Sequence, residues 1–254
     1  MQNSTQLQPV VLIAGYTASG KTTLASRLAD SLGFAFVDVG SIVRTAALDA
    51  VSRGADLLNT TQVSQYADAL QLHQNFDRNG LQIYANGNLV DYTAPDLRQS
   101  YLDTETLLLA QAVRTPLRAF QREIATVTPT VFSVRNGRAF TPEESVRIFI
   151  DPGMTTRIRR RARTEFGIGY ENLDREQKRD VIQRVVIKEG ENAENGTAMY
   201  LQEIAEEGFT IYQNKHKPAQ SLNELKDLTI HLLQEKYPIL YGYEGNKLLS
   251  NKER

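Results

Sequence analysis

Apolar residues near the start of the chain form first a short continuous run and then a pattern with helical spacing. Residues 9–14 form a short apolar run that ends at a glycine, which is typical of a buried parallel strand. Residues 21–32 instead place apolar side chains at helical spacing and close at Gly33. A second apolar run at 34–39 is followed by helical spacing over 41–51. Strand, loop, helix and strand together predict a βαβ unit with a parallel sheet.

Over about residues 59–128, the pattern of apolar and polar positions no longer predicts alternating strands and helices. Helical spacing near 62–78 gives way to two short apolar runs on either side of Asn86-Gly87, and this pair predicts a β-hairpin. Two further helices are expected near 104–112 and 116–126. We expect this region to be an insertion or lid-like subdomain rather than a continuation of the sheet.

The α/β pattern resumes after this region. Strands are predicted at 130–134, 146–150 and 209–212, with helices that begin near Gly153 and that cover about 173–188 and 221–234. In the last helix, Ser221 and Glu224 have the spacing of a capping box. The sequence contains no internal repeat, so we expect one α/β domain over 1–254.

Composition narrows the classes of function. The 254 residues include 29 basic and 30 acidic side chains, and the net charge of −1 gives no general attraction to nucleic acid or to an anionic membrane. The absence of cysteine excludes disulfides and thiolate metal sites, and the three histidines lie far apart. The N-terminus is polar and no apolar run approaches the ~20 residues that span a bilayer, so a cytoplasmic location is expected.

The most specific motif follows the first predicted strand. Residues 15–22 have the sequence GYTASGKT, which matches G-x-x-x-x-G-K-[ST] at every fixed position. Such a loop turns backbone N–H groups towards phosphates, and the following helix adds the positive end of its dipole. Lys21 is expected to reach the β- and γ-phosphates of ATP, and the Thr22 hydroxyl to bind Mg²⁺. The expected ATP-binding residues are Gly15, Ala18, Ser19, Gly20, Lys21, Thr22 and Thr23.

Arginines are crowded into the helix that is predicted to begin near Gly153. Arg157, Arg160 and Arg161 lie at i, i+3 and i+4 and therefore share a helix face. Arginines on a movable lid neutralise the charge that phosphoryl transfer spreads over the transferring oxygens. The phosphate loop upstream and the balanced charge elsewhere favour a lid, and a solvated basic face or a nucleic-acid patch is the alternative.

Two charged residues follow the second predicted strand. Asp38 ends that strand, at the edge where doubly wound sheets bind their ligands. Its carboxylate would suit a magnesium-bound water or a substrate hydroxyl, or it is simply an acid at a helix N-terminus. Arg44 on the following helix would suit an acceptor phosphate, or it is a surface arginine.

Taken in order, these segments resemble the bacterial cytidylate kinases of the nucleoside monophosphate kinase fold. Residues 11–28 are similar to that family's opening strand, phosphate loop and helix, and FVDVGSIVR at 36–44 is similar to its second motif. NGNL at 86–89 resembles part of its nucleotide-binding insertion, and VRNG at 134–137 stands where the family has Gly-Arg-Asp-Met-Gly. The arginine helix and the strand before it resemble the family's lid and fifth strand. The resemblance covers about residues 9–235.

The resemblance implies a fold, a reaction and a set of roles. The fold is a three-layer α/β/α P-loop kinase with a parallel sheet, an inserted acceptor-binding subdomain at 59–128 and a helical lid at about 153–197. The reaction is transfer of the γ-phosphate of ATP, with Mg²⁺, to a nucleoside monophosphate, which in the family is CMP or dCMP. The implied catalytic residues are Lys21, Arg157 and Arg161; the acceptor residues are Asp38, Arg44, Arg135 and Asn136; the metal-binding residues are Thr22 and Asp38.

Three departures from the family pattern fall on the acceptor side. Val39 replaces a serine, Asn136 replaces an aspartate, and the segment 188–196 lacks the arginines of the family's charged run. A side-chain amide both donates and accepts hydrogen bonds, whereas a carboxylate only accepts. We therefore expect an altered acceptor site, at which CMP is not the best acceptor.

The sequence thus predicts an ATP-dependent phosphotransferase that acts on a nucleoside monophosphate or a related small molecule, without a membrane or nucleic-acid partner. An acceptor phosphate oxygen is already a nucleophile, so positioning and electrostatics suffice for catalysis. One alternative is a kinase of a non-nucleotide metabolite, for which Asp38 is the candidate base. The other is a nucleotide-binding regulatory protein without turnover.

Overall fold

The structure, a computed structural model, describes residues 6–77, 80–91, 106–135, 137–194, 201–214 and 218–238. Its elements are β1 (Val10–Gly15), α1 (Lys21–Leu32), β2 (Ala35–Asp38), α2 (Val39–Ser52), α3 (Thr60–Ala69), β3 (Leu72–Asp77), β4 (Gly80–Ala85), β5 (Asn88–Leu89), α4 (Thr106–Ala112), α5 (Arg114–Val127), β6 (Thr130–Ser133), β7 (Val146–Ile150), α6 (Met154–Phe166), α7 (Arg175–Glu194), α8 (Leu201–Glu206), β8 (Thr210–Tyr212) and α9 (Pro218–Lys236). Within these ranges, no helix combines the length and the apolar character needed to cross a membrane.

Five parallel strands form the central sheet in the order β2-β6-β1-β7-β8. Their apolar side chains alternate between two cores: Leu12 and Phe132 pack on the side of α2 and α5, whereas Ile13 and Val131 pack on the side of α1 and α9. The predicted three-layer α/β/α architecture is therefore confirmed. Because β2, β6 and β1 are neighbours, their carboxyl ends meet at one edge of the sheet, where such folds bind ligands.

The region between α2 and β6 adds helices α3 to α5 and a second, antiparallel sheet in the order β3-β4-β5. The predicted hairpin is present: Asn86 and Gly87, with φ of 50° and 83°, join β4 to β5. Buried residues of this region, such as Tyr66 and Ile83, belong to the same apolar cluster as Leu12 of β1. The region therefore packs directly on one face of the central sheet.

The single helix predicted near 62–78 is wrong in its second half. Helix α3 ends at Ala69, and Leu72–Asp77 is the strand β3, which pairs with β4 along its whole length. Leu72 and Gln74 are half-buried while His73 and Asn75 are exposed, which is the period of a strand. Pairing with β4 thus decides the structure of a short polar segment whose own propensity is weak.

The capping box predicted at Ser221 and Glu224 is also wrong, because α9 already begins at Pro218 and Ser221 is buried inside it. Proline suits the first turn of a helix, where its missing N–H is not needed. A reciprocal box does open α7, where Asp174 Oδ1 accepts from the Gln177 N–H at 2.8 Å and Gln177 Oε1 accepts from the Asp174 N–H at 3.1 Å.

Candidate active site

The phosphate loop joins the carboxyl end of β1 to the N-terminus of α1. Its curl depends on positive φ angles at Ala18 and Gly20, 60° and 83° respectively, and on a hydrogen bond from the Ser19 N–H to the Tyr16 carbonyl at 3.2 Å. Gly15 is equally constrained, because a Cβ there would lie 2.7 Å from the carbonyl oxygen of Ile150. A left-handed alanine is a costly conformation that the surrounding structure must impose, as is common at ligand sites.

Thr22 in the first turn of α1 contacts the end of the neighbouring strand β6. Its Oγ1 lies 3.4 Å from Oγ of Ser133, a residue that is 1% exposed. Among the described residues, no group of three or more histidine or acidic side chains is placed to hold a metal ion. This donor set fits Mg²⁺ held through substrate phosphates, water and one hydroxyl, because Mg²⁺ keeps several waters and seldom occupies an all-protein cage.

Two arginines of helix α6 contact the phosphate loop. The guanidinium of Arg157, a residue that is 4% exposed, lies 4.6 Å from the ring centroid of Tyr16, and Tyr16 in turn packs edge-on against Phe149 at 4.8 Å. One helical turn further on, Arg160 Nη1 donates to the Ser19 carbonyl at 2.5 Å. Asn214, just after β8, donates to the same carbonyl from Nδ2 at 3.2 Å. Burial lowers the pKa of Arg160.

The three arginines that share a helix face in the sequence therefore have different surroundings. Arg157 and Arg160 contact the phosphate loop, whereas Arg161 pairs with Glu165 one turn along α6. Arg184 of α7 donates to the same Glu165 carboxylate at 3.3 Å, which ties α6 to α7. The structure thus places Arg157 against the phosphate loop and Arg161 in a separate ion-pair network. The catalytic role of Arg161 remains a prediction.

On the acceptor side, Asp38 ends β2 and is only 6% exposed. Its Oδ2 accepts from the Ser41 hydroxyl at 2.7 Å and from Arg44 Nη2 at 3.0 Å, and the same Nη2 donates to Ser41 Oγ at 2.5 Å. The carboxylate therefore holds the guanidinium of Arg44 in place. Asp38 as a metal ligand and as a base remains a prediction, since the contacts seen are with Arg44 and Ser41.

Arg135 lies two residues after the end of β6, the strand that pairs with β2. Its side chain reaches water, yet the protein around it is dense enough to lower its pKa by desolvation; the positive charge of Arg44 lowers the pKa further, and Asp38 raises it. Asp38 of β2 pairs in register with Ser133 of β6, so Asp38 and Arg135 lie at the same edge of the sheet, while their joint role with Arg44 as an acceptor site remains a prediction. Two neighbouring guanidinium groups with one carboxylate leave a net positive site suited to an anion. Asn136 lies outside the described residues.

Behind this site, a buried carboxylate joins α2 to the antiparallel sheet. Asp49 accepts from the Tyr66 hydroxyl at 2.8 Å, from Asn86 Nδ2 at 2.7 Å and from Asn88 Nδ2 at 2.9 Å, and it forms an ion pair with Arg53 at 2.9 Å. Burial alone would raise the pKa of Asp49, but these donors outweigh it and the pKa is lowered. The pKa of Tyr66 is raised, first by burial and then by Asp49. The network was not foreseen, because its members are up to 39 residues apart.

Three residues of the site escaped the sequence prediction: Tyr16, Ser133 and Asn214. Two of them could have been found by the rule that parallel sheets bind ligands at their carboxyl edge, because Ser133 ends β6 and Asn214 follows β8. Tyr16 gave no such signal, and Arg160 was expected on the lid face of its helix but not in contact with Ser19. Their contacts depend on how α6 packs against the loop, which local periodicity does not determine.

Known proteins match this chain over nearly all of the architecture described above. The family model described as cytidylate kinase matches residues 11–211, from β1 into β8. A cytidylate kinase of Shouchella clausii is 27% identical over 177 residues, which cover 68% of this chain and 77% of that protein. One of Pelotomaculum thermopropionicum is 30% identical over 166 residues, covering 64% and 72% respectively. One of Pediococcus pentosaceus is 25% identical over 221 residues, covering 82% and 96%.

These matches and the geometry agree on the class of protein. The matched span contains the whole phosphate loop, the Asp38–Arg44 pair and the arginine helix α6. A P-loop followed by such elements in this order supports phosphoryl transfer from ATP, and modest identity leaves the acceptor open. With a family match that covers far more than half of its length, the chain is a P-loop kinase and belongs to the cytidylate kinase family.

Proposed function

We propose that this kinase transfers the γ-phosphate of ATP–Mg²⁺ to a nucleoside monophosphate whose own phosphate lies between Arg44 and Arg135. One observation carries the proposal: the phosphate loop and the Arg44–Arg135 site follow β1, β2 and β6, which are adjacent strands of one parallel sheet. Two phosphate-binding sites on one sheet edge suit a reaction that joins two phosphorylated molecules. Donor and acceptor would then be bound side by side in one cleft, in position to react.

Each side chain has a role that its surroundings support. Lys21 and the N-terminus of α1 face the donor phosphates, and Mg²⁺ at Thr22 would neutralise charge on the β- and γ-oxygens when bound. Arg157 is held beside the loop by Tyr16 and supplies positive charge near the transferring group. Arg44, fixed by Asp38 and Ser41, orients the acceptor phosphate together with Arg135.

The contacts of Asp38 argue for a phosphate acceptor rather than for an alcohol. A base for an alcohol must accept a proton from the substrate hydroxyl. One oxygen of the carboxylate already accepts from both Ser41 and Arg44. An acceptor phosphate needs no base, so this arrangement favours a nucleoside monophosphate over a non-nucleotide alcohol.

We further propose that CMP is not the leading acceptor. Val39, next to Asp38, packs its side chain against the apolar core and offers no hydrogen bond where the family has a serine. Asn136 replaces the family's aspartate after Arg135. Each unpaired polar group of a bound ligand costs ~1–3 kcal/mol, so two such losses reduce kcat/KM by roughly a hundredfold or more.

An acceptor panel tests both proposals. We would measure kcat/KM for CMP, dCMP, UMP, dTMP, AMP, GMP and several non-nucleotide alcohols at one ATP concentration, with Lys21→Ala as the inactive control. A monophosphate other than CMP or dCMP should lead. CMP or dCMP ahead by about tenfold, ~1.4 kcal/mol, would restore the ordinary family substrate. An alcohol in the lead, or binding of ATP without turnover of any acceptor, would refute the proposed reaction.

A further inference from the structure

The carbonyl of Ser19 accepts hydrogen bonds from two side chains that come from distant elements. Arg160 Nη1 reaches it from α6 at 2.5 Å, and Asn214 Nδ2 reaches it from the end of β8 at 3.2 Å. The two donors approach over Gly20, where a Cβ would lie 3.1 Å from Arg160 Nη1 and 3.6 Å from Asn214 Nδ2. Glycine at this position therefore leaves the space through which both donors reach the loop.

These bonds fix the direction of one peptide unit. The Ser19–Gly20 peptide is trans, so the N–H of Gly20 points away from the Ser19 carbonyl. With the carbonyl held on the side of Arg160 and Asn214, the N–H is turned to the opposite side. In phosphate loops the concave side is where the backbone N–H groups converge on the phosphates. A charged donor on the carbonyl also polarises the peptide and strengthens its N–H as a donor.

Apart from this contact, a buried asparagine at position 214 is energetically unfavourable. The residue is 3% exposed, and among the described residues no hydrogen-bond donor reaches its buried Oδ1. A buried acceptor without a donor costs free energy, which an apolar side chain of similar shape would avoid. The amide is therefore explained by its donor, which reaches Ser19. Burial also disfavours the charge of Arg160, as its lowered pKa shows.

We propose that Arg160 and Asn214 are positioning residues that orient the Ser19–Gly20 peptide, so that the Gly20 N–H faces the phosphates of the donor nucleotide. This inference rests on the proposed function, in which the loop holds ATP. Within the described part of the chain, the side-chain hydrogen bonds of Arg160 and Asn214 go to Ser19 and not to Arg44 or Arg135. Their loss should therefore weaken binding of the donor and leave binding of the acceptor unchanged.

The test measures binding of ADP–Mg²⁺ by calorimetry and the Gly20 amide signal in an assigned ¹⁵N–¹H spectrum of the full chain. Asn214→Leu removes the donor, and Asn214→Asp removes it while keeping the shape. Arg160→Met removes the second donor, and Arg160→Lys keeps a charged one. The matched controls are Gln213→Ala and Arg163→Ala, which change exposed neighbours in the same segments.

We expect Kd for ADP to rise about tenfold in Asn214→Leu, Asn214→Asp and Arg160→Met, with partial rescue in Arg160→Lys and a moved Gly20 signal in each weakened variant. KM for the acceptor should stay within about twofold. If Asn214→Leu does not fold, the isosteric Asn214→Asp decides. Folded variants with wild-type Kd and an unmoved Gly20 signal would overturn the inference alone. A wild-type protein that does not bind ADP would overturn the proposed function and this inference with it.

Discussion

The donor side and the acceptor side of the cleft are built in different ways. The donor side is centred on eight consecutive residues, from the end of β1 into the start of α1; Ala18 and Gly20 have positive φ, and contacts from Arg160 and Asn214 hold the loop. The acceptor side combines Arg44 and Asp38 with Arg135, which is almost a hundred positions further along the chain. A contiguous motif can be recognised in isolation, whereas a site assembled by tertiary packing tolerates substitutions at separate points.

This difference explains where the chain departs from its family. The phosphate loop retains every fixed position of its motif, while Val39 and Asn136 differ from the residues expected on the acceptor side. In the proposed function the donor is bound by backbone N–H groups, which only a particular chain path can supply. In the proposed function the acceptor is recognised by side chains, each of which can change without altering the fold. Variants on the two sides should consequently have separable effects.

The largest effect is expected from Lys21→Ala. Removal of a positioned positive group at the transferring phosphate should reduce kcat by about 10²–10³, as for other single electrostatic contacts in active sites. Lys21 is half-buried at the start of α1, so the thermal midpoint should change little. Turnover and thermal unfolding are measured together, with Arg27→Ala on the exposed face of α1 as the control. Near wild-type turnover would contradict the role of the loop.

A second prediction separates two arginines of α6. Arg157 contacts Tyr16 of the phosphate loop, so Arg157→Ala should lower kcat about a hundredfold with a smaller change in KM. Arg161 is paired with Glu165 within α6, and Arg161→Ala should lower kcat by less than about threefold, since Arg184 still pairs with Glu165.

Steady-state kinetics of both variants and of the exposed control Arg163→Ala make this comparison. Equal losses of turnover in the two variants would show that Arg161 leaves Glu165 during the reaction and that the pair acts as the sequence alone predicted. A change confined to nucleic-acid affinity would instead support a basic binding face.

The third prediction concerns the acceptor side. Arg44→Ala and Arg135→Ala should each raise KM for the acceptor by roughly 10- to 100-fold, since a charge-assisted hydrogen bond contributes ~1.5–3 kcal/mol. KM for ATP should not change, because the phosphate loop is separate from both residues. Initial rates at varied ATP and varied acceptor measure the two constants. A larger rise in KM for ATP than for the acceptor would remove the distinction between the two sides.

The sequence predicted the donor side far better than the acceptor side. Apolar periodicity and the G-x-x-x-x-G-K-[ST] motif located β1, the loop and α1, since each depends on neighbours within a few residues. The family resemblance implies that Arg44 and Arg135 share an acceptor site, and this remains a prediction. Prediction from the sequence failed for β3, whose pairing with β4 outweighs local preference. It also failed for Asn214, whose contact with Ser19 spans 195 positions.

The smallest effect we predict is a change in acid stability within the segment that carries Arg135. Arg122 of α5 donates to both oxygens of Glu144, at 2.9 and 2.7 Å, and this pairing holds the pKa of Glu144 at about 2, below its ordinary 4.5. Because the folded-state pKa is depressed, the stabilisation is complete above the unfolded pKa and is lost as the pH falls from about 4.5 to about 2.

Water screens this ion pair, since 44% of the Arg122 side chain and 28% of the Glu144 side chain are exposed, and we expect only about 1 kcal/mol from it. In Glu144→Gln, the free energy of unfolding should therefore be lower at neutral pH and should fall less between about pH 5 and pH 3 than in the wild type. Urea unfolding across this range measures both quantities, and binding of ADP should be unaffected because the donor side lies elsewhere. An identical pH dependence in the two proteins would mean that the Arg122–Glu144 pair does not stabilise the acceptor-side segment.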